Sequence, residues 1–534
     1  MCGIAGYYVA ETGAGAPPVQ REIVARMRDV LHHRGPDASG IHVEPQIGLG
    51  FQRLSILDLS PAGNQPMASA DGQCVIVFNG EIYNFVELRA ELEAKGHAFR
   101  SQTDTEVILA SYLEYGTDCV RRFNGMWAFA LWDRRKRTLF CSRDRFGVKP
   151  FYYRWDGRTF VFGSEIKALL QHPAVPAAEN RARVADYLAT GRLDEDHQTL
   201  FDGIVQLEPG QSLTVHERKL VVQRHWTPPA DVDESWDWER AVERYRELLI
   251  DAVKLRLRSD VQQGLLLSGG QDSSAIAGVV SHLTGSGSLS QREALKSGKL
   301  VSFSGMLADE GLDESQYAEA VIREHGLDAV RVVPDTDEIV ASFERVLWAN
   351  DEPLTTSNSL MHSLLLSRVH DRGIKVLLSG QGADEVLAGY DRHIVGPLVH
   401  DLVLAGRVTD ACREFSSLRR RTGLPLHFLA LQVARSFAPD RVGEFAKRVF
   451  WQKLGQHLTA DAWLASANAG TATAAASGGF WAPKFKQSLR NNIQRKTLPK
   501  IVHYEDRGSM LHSVEERFPF LDYRLVEFTL SLPH

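Results

Sequence analysis

Apolar and polar positions alternate in two different rhythms along this chain, and each rhythm predicts a different architecture. In the first, residues 75–78 (Val-Ile-Val-Phe) read as a strand running into Asn79-Gly80-Glu81-Ile82-Tyr83-Asn84. Helix signals follow. Asn84 precedes Phe85, Leu88 and Leu92, with Glu87 three residues on, the spacing of a capping box. Thr103-Asp104-Thr105-Glu106 repeats that signal before Val107, Ile108 and Leu109, and Gly116 marks the stop. Residues 126–133, 138–141, 150–153 and 160–162 then read as short strands between polar turns. Helices followed by a strand-rich run predict a layered α+β domain.

The second rhythm starts after a Pro/Asp/Glu/Trp-rich passage at 227–238. Ala241, Val242, Tyr245, Leu248, Leu249, Ala252 and Val253 mark one face of a long helix. An apolar strand-like run, 264–267, then enters Ser268-Gly269-Gly270-Gln271-Asp272-Ser273-Ser274, and a helical pattern begins at Ala275. Residues 300–304 and 329–333 read as strands, 315–325 and 359–372 as helices. Such alternation predicts βα units on a parallel sheet. Gly/Ser-rich 285–298 and Ala/Gly/Ser/Thr-rich 465–479 read as loops.

Bulk properties narrow the class. A chain of 534 residues exceeds one ordinary domain, and 44% apolar with 24% charged residues is the composition of a globular protein. A net charge of −6 leaves no electrostatic footprint for nucleic acid or an anionic membrane. Five irregularly spaced cysteines make neither a disulfide framework nor a zinc pattern, so a reducing, cytoplasmic setting is the default, with Cys74 and Cys141 packed as small hydrophobes. The sequence carries no eighteen-residue apolar segment and no signal peptide.

Several stretches carry candidate chemistry. The Ser268–Ser274 turn, between a strand and a helix start, is a phosphate cradle: glycines let successive N–H groups face an anion, and the helix adds its positive end. Asp272 is a hard oxygen ligand suited to Mg²⁺. Residues 375–385 repeat the form, a buried-type strand ending in Ser379-Gly380-Gln381-Gly382 and delivering Asp384 and Glu385. Ligands of parallel sheets sit at such strand ends, so both carboxylates would face one nucleotide. Finally, removal of Met1 would leave Cys2 with a free α-amine of pKa about 7.7–8.0, placing nucleophile and base in one residue. Asn79-Gly80 can present an amide side chain and a backbone N–H together, the parts of an oxyanion hole, although bare Asn-Gly is also an ordinary turn. On local grounds Asp104 is equally a helix-start residue.

Taken in order, Met1-Cys2-Gly3-Ile4, His33-Arg34-Gly35-Pro36-Asp37, Arg53-Leu54-Ser55-Ile56, Asn79 to Asn84, Thr103 to Glu106 and Arg143-Asp144-Arg145-Phe146-Gly147 resemble a class II glutamine amidotransferase domain. The resemblance implies an α+β N-terminal-nucleophile hydrolase fold with αββα layers over residues 2–215. It implies that Cys2 attacks the glutamine carboxamide, that Asn79 and Gly80 hold the oxyanion, and that Arg53 and Asp104 take the α-carboxylate and α-amine. Leu54, Ser55, Ile56, Leu57 and Glu81 would line the pocket.

The later motifs, S-G-G-x-D-S-S at 268–274, L-S-G-x-G-x-D-E at 378–385, Glu505-Asp506-Arg507-Gly508-Ser509-Met510 and Glu516-Arg517-Phe518-Pro519, extend the resemblance to glutamine-hydrolysing asparagine synthetases. A linker at 216–238 and an α/β parallel-sheet ATP pyrophosphatase domain (adenine nucleotide alpha hydrolase-like) at 239–534 follow. By this resemblance ATP meets Leu267, Ser268, Gly269, Gly270, Asp272, Ser273, Ser274, Gly305, Ser379 and Gly380. Mg²⁺ sits on Asp272 and Asp384, and Gln381, Asp384 and Glu385 face the acceptor. Aspartate is adenylated, ammonia from Cys2 displaces AMP, and the small-molecule partners are glutamine, aspartate or another carboxylate, and ATP, in a homodimer.

Departures from the family pattern bear on the acceptor. Gln381 stands where the commonest form has Glu, and the chain stops before a basic segment that usually contributes a lysine near the phosphates. Gln381 therefore keeps a second acceptor class open, a uronic sugar or natural-product intermediate. A glutaminase with an inactive nucleotide-binding half is the third reading.

Overall fold

The computed structural model describes residues 2–11, 18–191, 193–296, 298–306, 315–354, 356–422, 425–437 and 484–533. The loop expected at 465–479 lies outside them.

The strands of the first half are β1 (Gly3–Val9), β2 (Ala38–Val43), β3 (Ile47–Arg53), β4 (Met67–Ala68), β5 (Cys74–Ile82), β6 (Gly125–Asp133), β7 (Thr138–Arg143), β8 (Tyr152–Trp155), β9 (Thr159–Gly163), β10 (Val205–Gln206), β11 (Gln211–His216) and β12 (Lys219–Arg224). They form two antiparallel sheets, ordered β10-β8-β9-β1-β3-β2 and β12-β11-β7-β6-β5-β4. Period-two alternation stacks the layers. Along β1, Ile4 and Tyr8 enter the core between the sheets, while Ala5, Tyr7 and Val9 pack outward with Ile23, Val24 and Met27 of the helix Arg21–Asp29. Along β6, Ala128, Ala130 and Trp132 face the other sheet, whereas Trp127, Phe129 and Leu131 meet the helices Phe85–Ala94 and Asp104–Tyr115. The result is the αββα stack of an N-terminal-nucleophile hydrolase. Cys74 and Cys141 are buried in these two cores.

Two local expectations need correction. Asn84 does not cap its helix: its Oδ1 accepts from the Asn124 N–H and its Nδ2 donates to the Arg122 carbonyl, while Glu87 pairs with Arg258 of the second half. Tertiary partners outbid the local one. The sheet also continues through β12, which pairs with β11, so strand structure extends into the segment read as linker from residue 216.

The second half is a five-stranded parallel sheet. Its strands are β13 (Gln263–Leu266), β14 (Val301–Gly305), β15 (Asp328–Val332), β16 (Val376–Leu378) and β17 (Glu515–Arg517), ordered β15-β14-β13-β16-β17. Helices Trp238–Arg256 and Gln271–Gly285 bury Leu248, Leu249, Val253, Ile276 and Val280 against Leu265 and Leu378. The C-terminal ends of β13 and β16, neighbours in the sheet, carry the two Ser-Gly loops.

Candidate functional site

Two centres lie on opposite sides of β17. The first is built on Cys2, at the start of β1. Its N–H donates to Asn79 Oδ1 at 2.9 Å, and its Sγ lies 4.0 Å from the Leu54 carbonyl oxygen. Burial pushes the thiol up from its ordinary value. Because Asn79 Oδ1 is engaged by Cys2, its Nδ2 is turned elsewhere, buried and without a hydrogen-bond partner. A buried donor left open is costly unless a ligand oxygen meets it. Gly80 follows at φ +150°, where a Cβ would lie 2.1 Å from the Met126 carbonyl oxygen, so only glycine fits. Trp127, opposite Gly80, spends its own N–H and C=O on Asp144, so the Gly80 amide is not used by that strand. A side-chain N–H and a neighbouring backbone N–H beside a thiol can hold an oxyanion.

Arg53 is buried and wraps onto its own loop, donating to the carbonyls of Leu57, Asp58 and Ser60 and to Asn64 Oδ1. Leu54 and Ile56 turn into a cluster with Val376 and Met510 of the second half, and the Ser55 N–H donates to Asp37. The segment from Arg53 to Leu57 thus meets Cys2 through backbone, by way of Leu54. Asp104 begins its helix and accepts from the Ile82 N–H at 2.8 Å; burial pushes its pKa up to about 7. Glu81 is likewise buried and raised, 3.3 Å from Arg517.

The second centre lies at the strand ends. Ser268 Oγ accepts from the Gly270 N–H, Ser273 Oγ sits 3.2 Å from Ser268 Oγ, and Ser274 Oγ donates to the Gly270 carbonyl, so the Ser/Gly turn is held by its own hydroxyls. Gly269 takes φ +85°, and Gly270 precedes the helix, leaving its first N–H groups facing the turn. Leu267 donates to the Phe303 carbonyl, and Gly305 ends β14 with open space where a Cβ would stand. The second loop packs close: a Cβ on Gly380 would lie 3.0 Å from the Ser273 nitrogen. Asp272 and Asp384 face each other across it. Burial raises both, and Asp384 further raises Asp272 by repulsion. No cation among the described residues pairs with either. Two uncompensated carboxylates at the mouth of the Ser/Gly turn suit a hard divalent ion, so these residues fit Mg²⁺. Glu385 is turned inward, its Oε1 accepting from Tyr390 at 2.6 Å.

Between the centres runs a buried polar seam that the sequence signals only as unassigned motifs. Arg34, fully buried, donates to the Cys2 carbonyl, to Glu165, and through both hydrogens of one nitrogen's reach to the two oxygens of Asp506 at 2.9 and 3.1 Å. Lys149 lies 3.7 Å from Asp506, and Arg507 donates to the Ser164 carbonyl. On β17, Arg517 binds Glu515 at 2.6 Å and reaches Glu81, on the Cys2 side. Glu516, between them, points the other way, toward His362 and Glu505, and Glu505 accepts from Gln381. Sequence reading missed His362, Glu515 and Glu516 as site residues.

Residues 1–226 match the family described as glutamine amidotransferase domain, and residues 244–534 the one described as asparagine synthase. Fold and site define a glutamine-hydrolysing amidotransferase carrying a second, ATP-pyrophosphatase-type domain. More particularly, the chain belongs to the glutamine-hydrolysing asparagine synthetase family. A Methanocaldococcus jannaschii relative is 36% identical over 74% of this chain and 77% of its own. Glutamine-hydrolysing asparagine synthetase 3 of Bacillus subtilis is 31% identical over 100% of this chain and 81% of its own. A Gibberella zeae protein named amidase chry2 is 30% identical over 100% of this chain and 83% of its own. Among the described residues, no helix is long and apolar enough to cross a membrane.

Proposed function

We propose that this enzyme makes an amide from a carboxylic acid, glutamine and Mg-ATP, with aspartate as the acceptor and asparagine as product. Cys2 attacks the glutamine carboxamide while Asn79 Nδ2 and the Gly80 N–H receive the developing oxyanion. Asp104 and Arg53 hold the two charged ends of glutamine. At the strand ends, the N–H groups from Ser268 to Ser274 cradle phosphate, and the acid's carboxylate displaces pyrophosphate to give an acyl-adenylate. Mg²⁺ held by Asp272 and Asp384 would neutralise charge on the leaving pyrophosphate. Ammonia released at Cys2 displaces AMP, and burial of the seam keeps it as the unprotonated nucleophile.

The observation that carries this reading is the shared strand. β17 gives Glu515 and Arg517 to the Cys2 side and Glu516 to the side of Gln381, and the Ser379 N–H donates to the Arg517 carbonyl at 3.0 Å. One short strand is thus common to both centres. A second acceptor, another carboxylic acid handled by the same machinery, is favoured by Gln381, an amide at the acceptor loop. The test is product analysis with Mg-ATP, glutamine and aspartate. AMP and asparagine together support the first reading. AMP with a different acid only selects the second, and glutamate without AMP for any acid sinks both.

A further inference from the structure

The acceptor loop presents an amide, Gln381, where proton transfer calls for a base, yet a titratable cluster stands directly behind it. Gln381 is exposed, and its Nε2 donates to Glu505 Oε1 at 3.2 Å. Glu505 comes from the helix Leu498–Leu511, and its Oε2 lies 3.1 Å from His362 Nε2 on the helix Asn358–Asp371. The same His362 nitrogen lies 3.1 Å from Glu516 Oε1 on β17. Three elements therefore converge an imidazole and two carboxylates on one point, where their ligand atoms lie within 4.8 Å of one another. Glu516 is 1% exposed, and its charge is met within the cluster by His362. His362, at 18% side-chain exposure, is the cluster's rim.

Such a group is too costly to be packing alone, because buried carboxylates held together repel and lose hydration. We propose that Gln381 orients the attacking nitrogen and that the Glu505–Glu516 pair, bridged by His362, takes its proton as the amide forms. With Nε2 tied to Glu505, the Gln381 Oε1 is the end left to accept from the nitrogen. The ammonia lone pair forms the C–N bond, the acyl C–O bond to phosphate breaks, and that electron pair leaves with AMP. The proton shed by nitrogen goes to the carboxylate pair and then to water between turnovers. Burial, reinforced by Glu516, raises the proton affinity of Glu505 well above that of a free carboxylate. Burial works against the charge on His362, but Glu505 and Glu516 outweigh it and push the imidazole up to about 9, and its positive charge in turn offsets part of the rise at Glu505.

This inference rests on the acyl-adenylate reading, and the experiment separates the two. Full-length wild type is first assayed for acid-dependent ATP–pyrophosphate exchange with L-aspartate, succinate and glucuronate. Exchange with none of them overturns the adenylate reading and this inference together. With the acid that works, and ammonium chloride as nitrogen source, amide formation is divided by exchange for Glu505→Gln and Glu516→Gln. The ratio should fall about 100-fold, the scale of general-base catalysis. Adding Gln381→Glu to Glu516→Gln should recover at least about tenfold, since a carboxylate then faces the nitrogen directly. A ratio that stays at the wild-type value, whether both activities fall or neither does, overturns the proposal. If Glu516→Gln does not fold, His362→Asn at the rim is read in the same way.

Discussion

Arg34 and Asp506, separated by 472 residues, form a two-point ion pair at 2.9 and 3.1 Å with both side chains essentially excluded from solvent. Since Arg34 also donates to the Cys2 carbonyl, a residue of the synthetase half is one bond removed from the nucleophile's backbone. Asp506→Asn would leave a buried guanidinium with half its charge unanswered. Breaking one partner of such a pair costs on the order of 3–5 kcal/mol. We expect a lower thermal unfolding temperature and more glutamine hydrolysed per amide formed. An unchanged ratio of glutamate to amide would show that the pair is structural only.

Asn79 should matter through its open Nδ2 alone. Asn79→Ala removes one oxyanion donor, and glutaminase kcat should fall about 10²–10³-fold with a smaller change in KM. A change confined to KM would place Asn79 in substrate binding instead.

Asp104 gives a pH prediction with a definite sign. Its carboxyl, pushed up to about 7 by burial, is neutral in the free protein below that pH and cannot meet an ammonium. Glutamine kcat/KM should therefore decline as pH falls below about 7, approaching tenfold per pH unit. The stability consequence runs the other way. A carboxyl raised on folding favours the folded state when protonated, and that stability is lost as pH rises through its folded pKa. Asp104→Asn should then unfold at a higher temperature than wild type at pH 8, by a margin that shrinks toward pH 5, while losing glutamine affinity. A constant margin across that range would remove Asp104 as the cause.

The Ser/Gly turn was legible in the sequence because it is local: Ser268, Gly270 and Ser273 make their bonds within six residues of one another. The layered and parallel sheets were legible for the same reason, since strand alternation is a neighbour-scale signal. The roles of Arg34, His362 and Glu516 were not, because their partners arrive from elements far along the chain: motifs mark Arg34 and Glu516, but nothing local says what those side chains meet. Asn84 shows the converse. Its capping-box spacing is real, but Asn124, Arg122 and Arg258 claim those side chains once the chain is folded.

Asp272 and Asp384 should separate the two centres. Asp272→Asn removes one of two facing carboxylates, and AMP formation should drop at least about 100-fold while glutamate release persists. The variant should also need more Mg²⁺ for half-maximal activity. AMP formation at the wild-type rate and Mg²⁺ dependence would remove Asp272 from metal binding.

The most direct test of the two-centre enzyme compares Cys2→Ala with wild type for amide and AMP formed from Mg-ATP and the acceptor acid, once with glutamine and once with ammonium chloride. Cys2→Ala should make no amide from glutamine and retain wild-type synthesis from ammonium, because Cys2 lies on one side of β17 and the two Ser-Gly loops on the other. Loss of both activities, or survival of the glutamine-dependent one, would contradict it.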